Sequence, residues 1–334
     1  MKKFLKFLLL FVAVASVVYL LGPAPSAPNL EVKVTDLPDS LATLESFVNQ
    51  QELATPNLRP DNQARIVWAD STQKRKTPIA ILYIHGFSAS QEEGDPVHTD
   101  IAHQFGANLY LARLAGHGIT PSDTTMISLT ADQLVASAEN ALAVTQQLGD
   151  SVIIVATSFG GALALHLASR HPEIKALVLY SPCIAVADPS AVLLDNPWGL
   201  QLAKLVTGSE TRTMDNINNP TRNSYWTTSY HINGLIALQN FLSTCMVSTT
   251  FSKVTCPVLM CYWYKNEQEQ DDVVSVPAML TMFDALGSAQ KHKVAIPNVG
   301  NHVLASYVLS KDIPTVMHET SQFLSNTVGL TKRF

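Results

Sequence analysis

Ser158 carries the clearest chemical signature in the chain. It closes the apolar run Val152–Ala156 and opens an Ala- and Leu-rich stretch, Phe159–Arg170, within Ala156-Thr157-Ser158-Phe159-Gly160-Gly161. A serine between a strand and a helix has the form of the G-x-S-x-G nucleophile elbow, with Ala156 at the first glycine position. The turn is strained, and the residues two before and two after the serine crowd together. Both must therefore be small, which Ala156 and Gly160 are. The helix N-terminus favours negative charge developing on the hydroxyl. A serine that only N-caps a helix would carry the same five residues, so the elbow reading depends on partners elsewhere in the chain.

A second signal is Leu82-Tyr83-Ile84-His85-Gly86-Phe87-Ser88, an apolar strand ending in His-Gly-aromatic. Gly86 permits a tight turn and close backbone approach to a ligand. The N–H of Phe87 is then one candidate donor to an oxyanion, and the N–H of Phe159 is the other. Such a donor contributes ~3–4 kcal/mol to barrier lowering. His85 reads as a brace for this loop rather than as a base.

An elbow serine needs a base and an acid later in the chain, in the order Ser, acid, His. The base is expected at His302, in the loop Pro297-Asn298-Val299-Gly300-Asn301-His302 after the last apolar run. The acid is expected after Val258–Trp263, where Asp271-Asp272-Val273-Val274 stands before a Pro-led helix. Asp271 fits the pattern of an Asp followed by x-Val-Val, and Asp272 is the alternative. The loop before them is long and acidic, which loosens the register. His117, in Ala115-Gly116-His117-Gly118, is expected at the pocket floor.

These residues need a scaffold. From Ile66 onward, short apolar runs alternate with amphipathic segments. The runs are Ile66–Trp68, Ile79–Ile84, Ala107–Leu111, Val152–Ala156, Ala176–Tyr180, Val258–Trp263 and Lys293–Ile296. Several are apolar at consecutive positions, as in strands buried on both faces of a parallel sheet. Helical spacing lies over Leu37–Gln51, Leu129–Leu148 (N-cap Thr130, stop at Gly149), Phe159–Arg170, Pro277–Leu286 and Ile313–Leu324. The alternation predicts an α/β fold, a doubly wound and mostly parallel sheet, with ligands beyond the carboxyl ends of its strands. Residues from about 186 to 252 break the alternation. They contain Pro189, Pro197 and Pro220 and the exposed-looking aromatics Trp198, Tyr225, Trp226 and Tyr230, and they read as a mainly helical cap insertion. Trp198 and Trp226 are candidate substrate contacts.

The N-terminus carries Lys2, Lys3 and Lys6, then a charge-free apolar run, Phe7–Leu21, then Gly22, Pro23, Pro25 and Pro28. This is a signal anchor or a signal peptide with its linker over residues 1–28. Either keeps the lysines inside and exports residues 29–334. The product is a membrane-anchored domain on the periplasmic or extracellular side, or a secreted one if the segment is cleaved.

The formal net charge of −5 offers nothing for nucleic acid, and the basic run Lys74-Arg75-Lys76 reads as an exposed turn. The four cysteines have no CxxC or zinc-ligand spacing and read as buried free thiols, so no metal site is expected.

Taken together, His85-Gly86-Phe87, Gly116-His117-Gly118, Ala156-x-Ser158-x-Gly160, Asp271-x-Val273-Val274 and Gly300-x-His302 resemble the α/β-hydrolase superfamily. Within it they resemble the capped monoacylglycerol lipase, carboxylesterase and serine-aminopeptidase-like group. The resemblance runs from about Ile66 to the C-terminus and departs from the usual pattern at Ala156 and Asn301. It implies an eight-strand-type sheet, a cap after strand six and hydrolysis through an acyl-enzyme, with no cofactor. The expected substrate is a small-molecule ester or lipid. An aminopeptidase of the same fold is the alternative, with Glu210 or Asp215 gripping a substrate ammonium. A catalytically inactive binding protein is a third reading.

Overall fold

In a computed structural model the chain is described over residues 2–214 and 218–334. Seven strands form the main sheet: β1 (Arg65–Val67), β2 (Thr77–Ile84), β3 (Asn108–Leu111), β4 (Gly149–Thr157), β5 (Ala176–Tyr180), β6 (Val258–Tyr262) and β7 (Lys291–Ala295). Their spatial order is β1-β3-β2-β4-β5-β6-β7. Only β1 runs antiparallel to its neighbour. All seven apolar runs of the sequence are strands of this sheet.

An eighth strand is absent from the main sheet among the described residues, which corrects the expected count. The stretch before the first core helix is drawn elsewhere. The N–H of Asn29 donates to Asp132 at 2.6 Å and that of Thr35 to Asn140 at 2.7 Å. These two bonds tie the linker to side chains of a core helix.

The helices are α1 (Lys2–Leu20), α2 (Leu41–Leu53), α3 (Val97–Phe105), α4 (Ala131–Leu148), α5 (Phe159–Arg170), α6 (Gly199–Thr207), α7 (Pro220–Tyr225), α8 (Asn233–Cys245), α9 (Ser248–Phe251), α10 (Val276–Ala285) and α11 (Ile313–Asn326). Thr130 caps α4 in a full capping box with Gln133, which satisfies two orphan donors. Ser40 caps α2.

Strand alternation divides the core. Ala80, Leu82 and Ile84 of β2 face the layer of α2, α4, α5 and α10. Ile81 and Tyr83 face α3 and α11. With helices on both faces, the strands can be apolar at every position, and this explains their continuous runs.

Between β5 and β6 the chain leaves the sheet. It forms a 3-10 turn (Pro189–Asp195), α6, a two-stranded ribbon (Thr211–Thr213 with Ser229–His231), α7, α8 and α9. This insertion rests on the residues that follow β2 and β4. Tyr230 stacks edge-on to Phe87 and Phe241 edge-on to Phe159, with ring centroids 5.5 and 5.3 Å apart. Two of the aromatics expected to be exposed, Trp226 and Tyr230, are buried. Packing against the core loops takes them out of solvent.

Helix α1 is long and apolar enough to cross a membrane, and none of its residues is buried.

Candidate active site

Ser158 stands at the junction of β4 and α5 with φ 53° and ψ −119°. This is a strained backbone for a residue with a Cβ. The surroundings hold it there. Its N–H donates to the Tyr180 carbonyl and its carbonyl accepts from the Cys183 N–H, each at 2.9 Å. The glycine two residues on is obligatory: a Cβ at Gly160 would lie 2.1 Å from the Ile84 carbonyl oxygen and 2.7 Å from that of His85. Helix α5 therefore starts in backbone contact with the end of β2, bringing the Phe159 N–H toward the loop that carries Phe87.

That loop is pinned by two histidines. His85 donates Nδ1–H to the Gly86 carbonyl at 2.8 Å and accepts the Leu114 N–H on Nε2 at 3.1 Å. His117 donates Nδ1–H to the Ala115 carbonyl at 2.8 Å and accepts the Ser88 N–H on Nε2 at 2.9 Å. Burial pushes His85 down to about 4 and His117 down to about 3, so both are neutral at physiological pH. His85 is the brace the sequence suggested. His117, expected at the pocket floor, is fully buried with both ring nitrogens engaged by backbone, so it braces the same loop. The peptide joining Gly86 to Phe87 is held through its carbonyl. Being trans, it turns the Phe87 N–H the opposite way. That N–H meets no acceptor among the described residues.

The third component arrives from the far edge of the sheet. After β6, a tight ribbon (Tyr264–Asn266 with Glu269–Gln270) takes up the extra acidic residues, with Lys265 paired to Glu269 at 2.7 Å. The chain then returns to Asp271, whose N–H donates to the Trp263 carbonyl. Asp271 is buried, and its Oδ1 accepts the N–H groups of Val273 and Val274, both at 3.0 Å. Its Oδ2 lies 2.7 Å from His302 Nδ1. Asp272 faces solvent. Burial pushes the Asp271 carboxyl up, but the His302 charge, its hydrogen bond and the backbone donors outweigh that and lower it. Burial pushes His302 down, but the Asp271 charge and hydrogen bond outweigh that and raise it. His302 Nε2 is buried without a partner, and the Ser158 hydroxyl makes no hydrogen bond to it.

The two tryptophans differ. Trp226 is buried and packs with Ala89, beyond the Phe87 loop, and with Val303, next to His302. Trp198 instead meets the N-terminal segment: its Nε1–H donates to the Val18 carbonyl at 3.1 Å and its N–H to the Pro23 carbonyl at 2.8 Å. Its indole therefore lies against the end of α1. Glu210 is paired with Lys204 in solvent, and Asp215 lies outside the described residues.

Residues 81–308 match the model of the alpha/beta hydrolase family. The chain belongs to this family. Its hydrolase relatives include a thermostable monoacylglycerol lipase of Bacillus sp. (strain H-257), 26% identical over 254 residues, covering 75% of this chain and 92% of that protein. Among solved structures, one described with the metagenome-derived lipolytic enzymes LipS and LipT superposes with TM-score 0.61 at 20% identity, covering 80% of this chain and 98% of that one. A soluble variant of the Saccharomyces cerevisiae monoglyceride lipase superposes with TM-score 0.58 at 14% identity, covering 91% and 98%. At those identities the structures attest the hydrolase fold, while the Bacillus relative supports an enzyme of the lipase and esterase type.

The sequence did not single out Glu93. It lies on a buried 3-10 turn, Gln91–Gly94, and its carboxyl accepts the Gly86 N–H. A usable signal was Gly94: a Cβ there would lie 2.4 Å from the Tyr83 ring, so the turn must hug β2.

Proposed function

We propose that the protein is a serine hydrolase that cleaves carboxylic esters of the acylglycerol type through an acyl-enzyme. Ser158 is the nucleophile, His302 the base and Asp271 the acid that fixes the imidazole tautomer. The observation that carries the proposal is the His302 imidazole, whose Nδ1 is held by a buried carboxylate while Nε2 is left unpartnered. A buried polar nitrogen without a partner is costly unless a ligand or a moving proton uses it.

The Ser158 hydroxyl gives its proton to Nε2 as Oγ attacks the acyl carbonyl. The N–H groups of Phe87 and Phe159 receive the oxyanion. The imidazolium then protonates the leaving alcohol, and water repeats the sequence in reverse roles to release the acid. The Ser158–His302 hydrogen bond forms on substrate binding, as such contacts tighten in the Michaelis complex.

Helix α1 acts as a membrane anchor with the hydrolase domain exported. Its end abuts Trp198, and α6 just beyond exposes Leu205 and Val206. An acyl chain leaving a bilayer would meet this apolar side first, which favours lipid esters over soluble ones.

The test is hydrolysis by purified protein lacking residues 1–28, on p-nitrophenyl esters from acetyl to palmitoyl, on monoacylglycerols and on aminoacyl anilides. The expected result is ester cleavage rising toward medium and long chains, with anilides untouched. A flat chain-length profile would remove the lipid assignment, and anilide cleavage exceeding ester cleavage would replace esterase with aminopeptidase.

A further inference from the structure

The reaction outlined above leaves a buried carboxylate unused. Glu93 is 2% exposed, and no Lys or Arg neutralises it among the described residues. An ideal Cβ on Gly86 would lie 2.9 Å from both Glu93 carboxyl oxygens and 3.0 Å from the Ser158 Cβ. The carboxyl and the residue carrying the nucleophile thus border the same space, the one a side chain at Gly86 would fill. Gly86 is fixed from two sides, its N–H by Glu93 and its carbonyl by His85 Nδ1–H. The carbonyl's peptide unit carries the Phe87 N–H, and the N–H that Glu93 accepts belongs to the unit just before it.

The titratable groups around Glu93 come from several elements. Tyr83 on β2 feels its charge, as it does that of Asp95. His98 on α3 meets the Tyr83 ring edge-on and is neutral, pushed down to about 4 by burial. His302, in the loop after β7, interacts electrostatically with Glu93, Asp271 and Asp272. Of these groups, only His302 becomes positive during acyl transfer. Burial pushes Glu93 up to about 7, against the Gly86 N–H and His302, which hold it down.

We propose that Glu93 is a positioning residue for acyl transfer, fixing Gly86 through its N–H, next to the peptide that carries the Phe87 N–H, and supplying, when ionised, a negative charge that favours the His302 imidazolium. It neither gains nor loses a proton in the step; the proton passes from Ser158 Oγ to His302 Nε2. A buried carboxylate without a cation is unfavourable in the resting fold. Here it acts electrostatically on the group that acquires positive charge, so its cost is relieved as the barrier is climbed. This role rests on the assignment of Ser158 and His302 as nucleophile and base.

Glu93→Gln and Glu93→Ala separate the two duties. Gln keeps an acceptor for the Gly86 N–H and removes the charge; Ala removes both. The measurement is the pH profile of kcat/KM and kcat on a p-nitrophenyl ester, with thermal melting as a check of folding. Glu93 raises the pKa of His302, so its neutralisation moves the acidic limb to lower pH, by about one unit for an ionic neighbour. It also lowers kcat about tenfold while KM holds. Glu93→Ala loses more in kcat than Glu93→Gln, because the Gly86 N–H also loses its acceptor and the peptide beside it, which carries the Phe87 N–H, is held less firmly. An unmoved limb with wild-type kcat in a folded Glu93→Gln protein overturns the inference. Should Glu93→Ala fail to fold, the Gln comparison alone decides. Hydrolysis by the wild type, abolished in Ser158→Ala, shows that the underlying assignment stands even where Glu93 has no effect.

Discussion

Asp271→Asn changes one atom pair in a closely constrained place, and the constraint sets the size of the effect. Oδ1 of Asp271 accepts two backbone N–H groups, those of Val273 and Val274, while Oδ2 accepts from His302 Nδ1. An asparagine can keep its single carbonyl oxygen toward the two backbone donors, and the alternative flip would set its NH2 against both of them. The oxygen therefore stays at Oδ1 and the NH2 takes the Oδ2 position, facing Nδ1. Two donors cannot share that contact, so the imidazole proton moves to Nε2. In that tautomer His302 cannot accept the Ser158 proton. Substitution of this kind lowers kcat about 10⁴-fold, or about 5–6 kcal/mol of barrier. KM changes little, because Asp271 does not touch substrate. Steady-state hydrolysis of a p-nitrophenyl ester, at a pH where the wild type is fully active, reads the loss. Circular dichroism confirms that the fold persists. A folded Asp271→Asn protein within tenfold of wild-type kcat would refute the reasoning. A comparable loss in Asp272→Asn would refute the assignment of the acid, since Asp272 is solvent-facing and should leave kcat within about twofold of wild type.

The remaining expectations concern pH and the elbow. Because Asp271 holds His302 above the ordinary imidazole value, kcat/KM falls as pH drops through a pKa higher than 6.5, and stopped assays across pH 5–9 on the wild type locate that limb. A limb well below 6.5 would contradict it. Gly160→Ala sets a Cβ 2.1 Å from the Ile84 carbonyl, so α5 and the end of β2 must part. The expected cost is about 1–3 kcal/mol in denaturant unfolding, together with a drop in kcat as the two oxyanion donors separate. Wild-type stability and rate in that variant would mean that the elbow tolerates the contact.

Much of the scaffold was legible because it rests on local pattern. The central strands of the sheet are buried on both faces, so their runs are apolar at consecutive positions and stand out unaided. Ser158 was legible for a related reason: its neighbours must be small for the turn to close, and that demand is written in adjacent residues. Asp271 was harder to separate from Asp272, because only the ribbon after β6 decides which carboxylate turns inward. The eight-strand expectation came from the family resemblance alone, and the seven apolar runs in the chain already matched the seven strands found. Glu93 was invisible for the opposite reason to Ser158. In Gln91-Glu92-Glu93-Gly94 a carboxylate reads as solvated loop, and its burial arises only when the turn is pressed onto Tyr83 and the Gly86 amide. Trp226 and Tyr230 likewise looked exposed because the core loops that cover them are distant in the chain.

The central claim is that Ser158 is a nucleophile activated by His302. A fluorophosphonate probe followed by peptide mass mapping tests it most directly, since the probe reacts only with an activated hydroxyl. The account predicts a single adduct on Ser158, none in Ser158→Ala, and labelling slowed by orders of magnitude in His302→Ala. An adduct on another residue, or a wild-type protein that stays unlabelled, would contradict it.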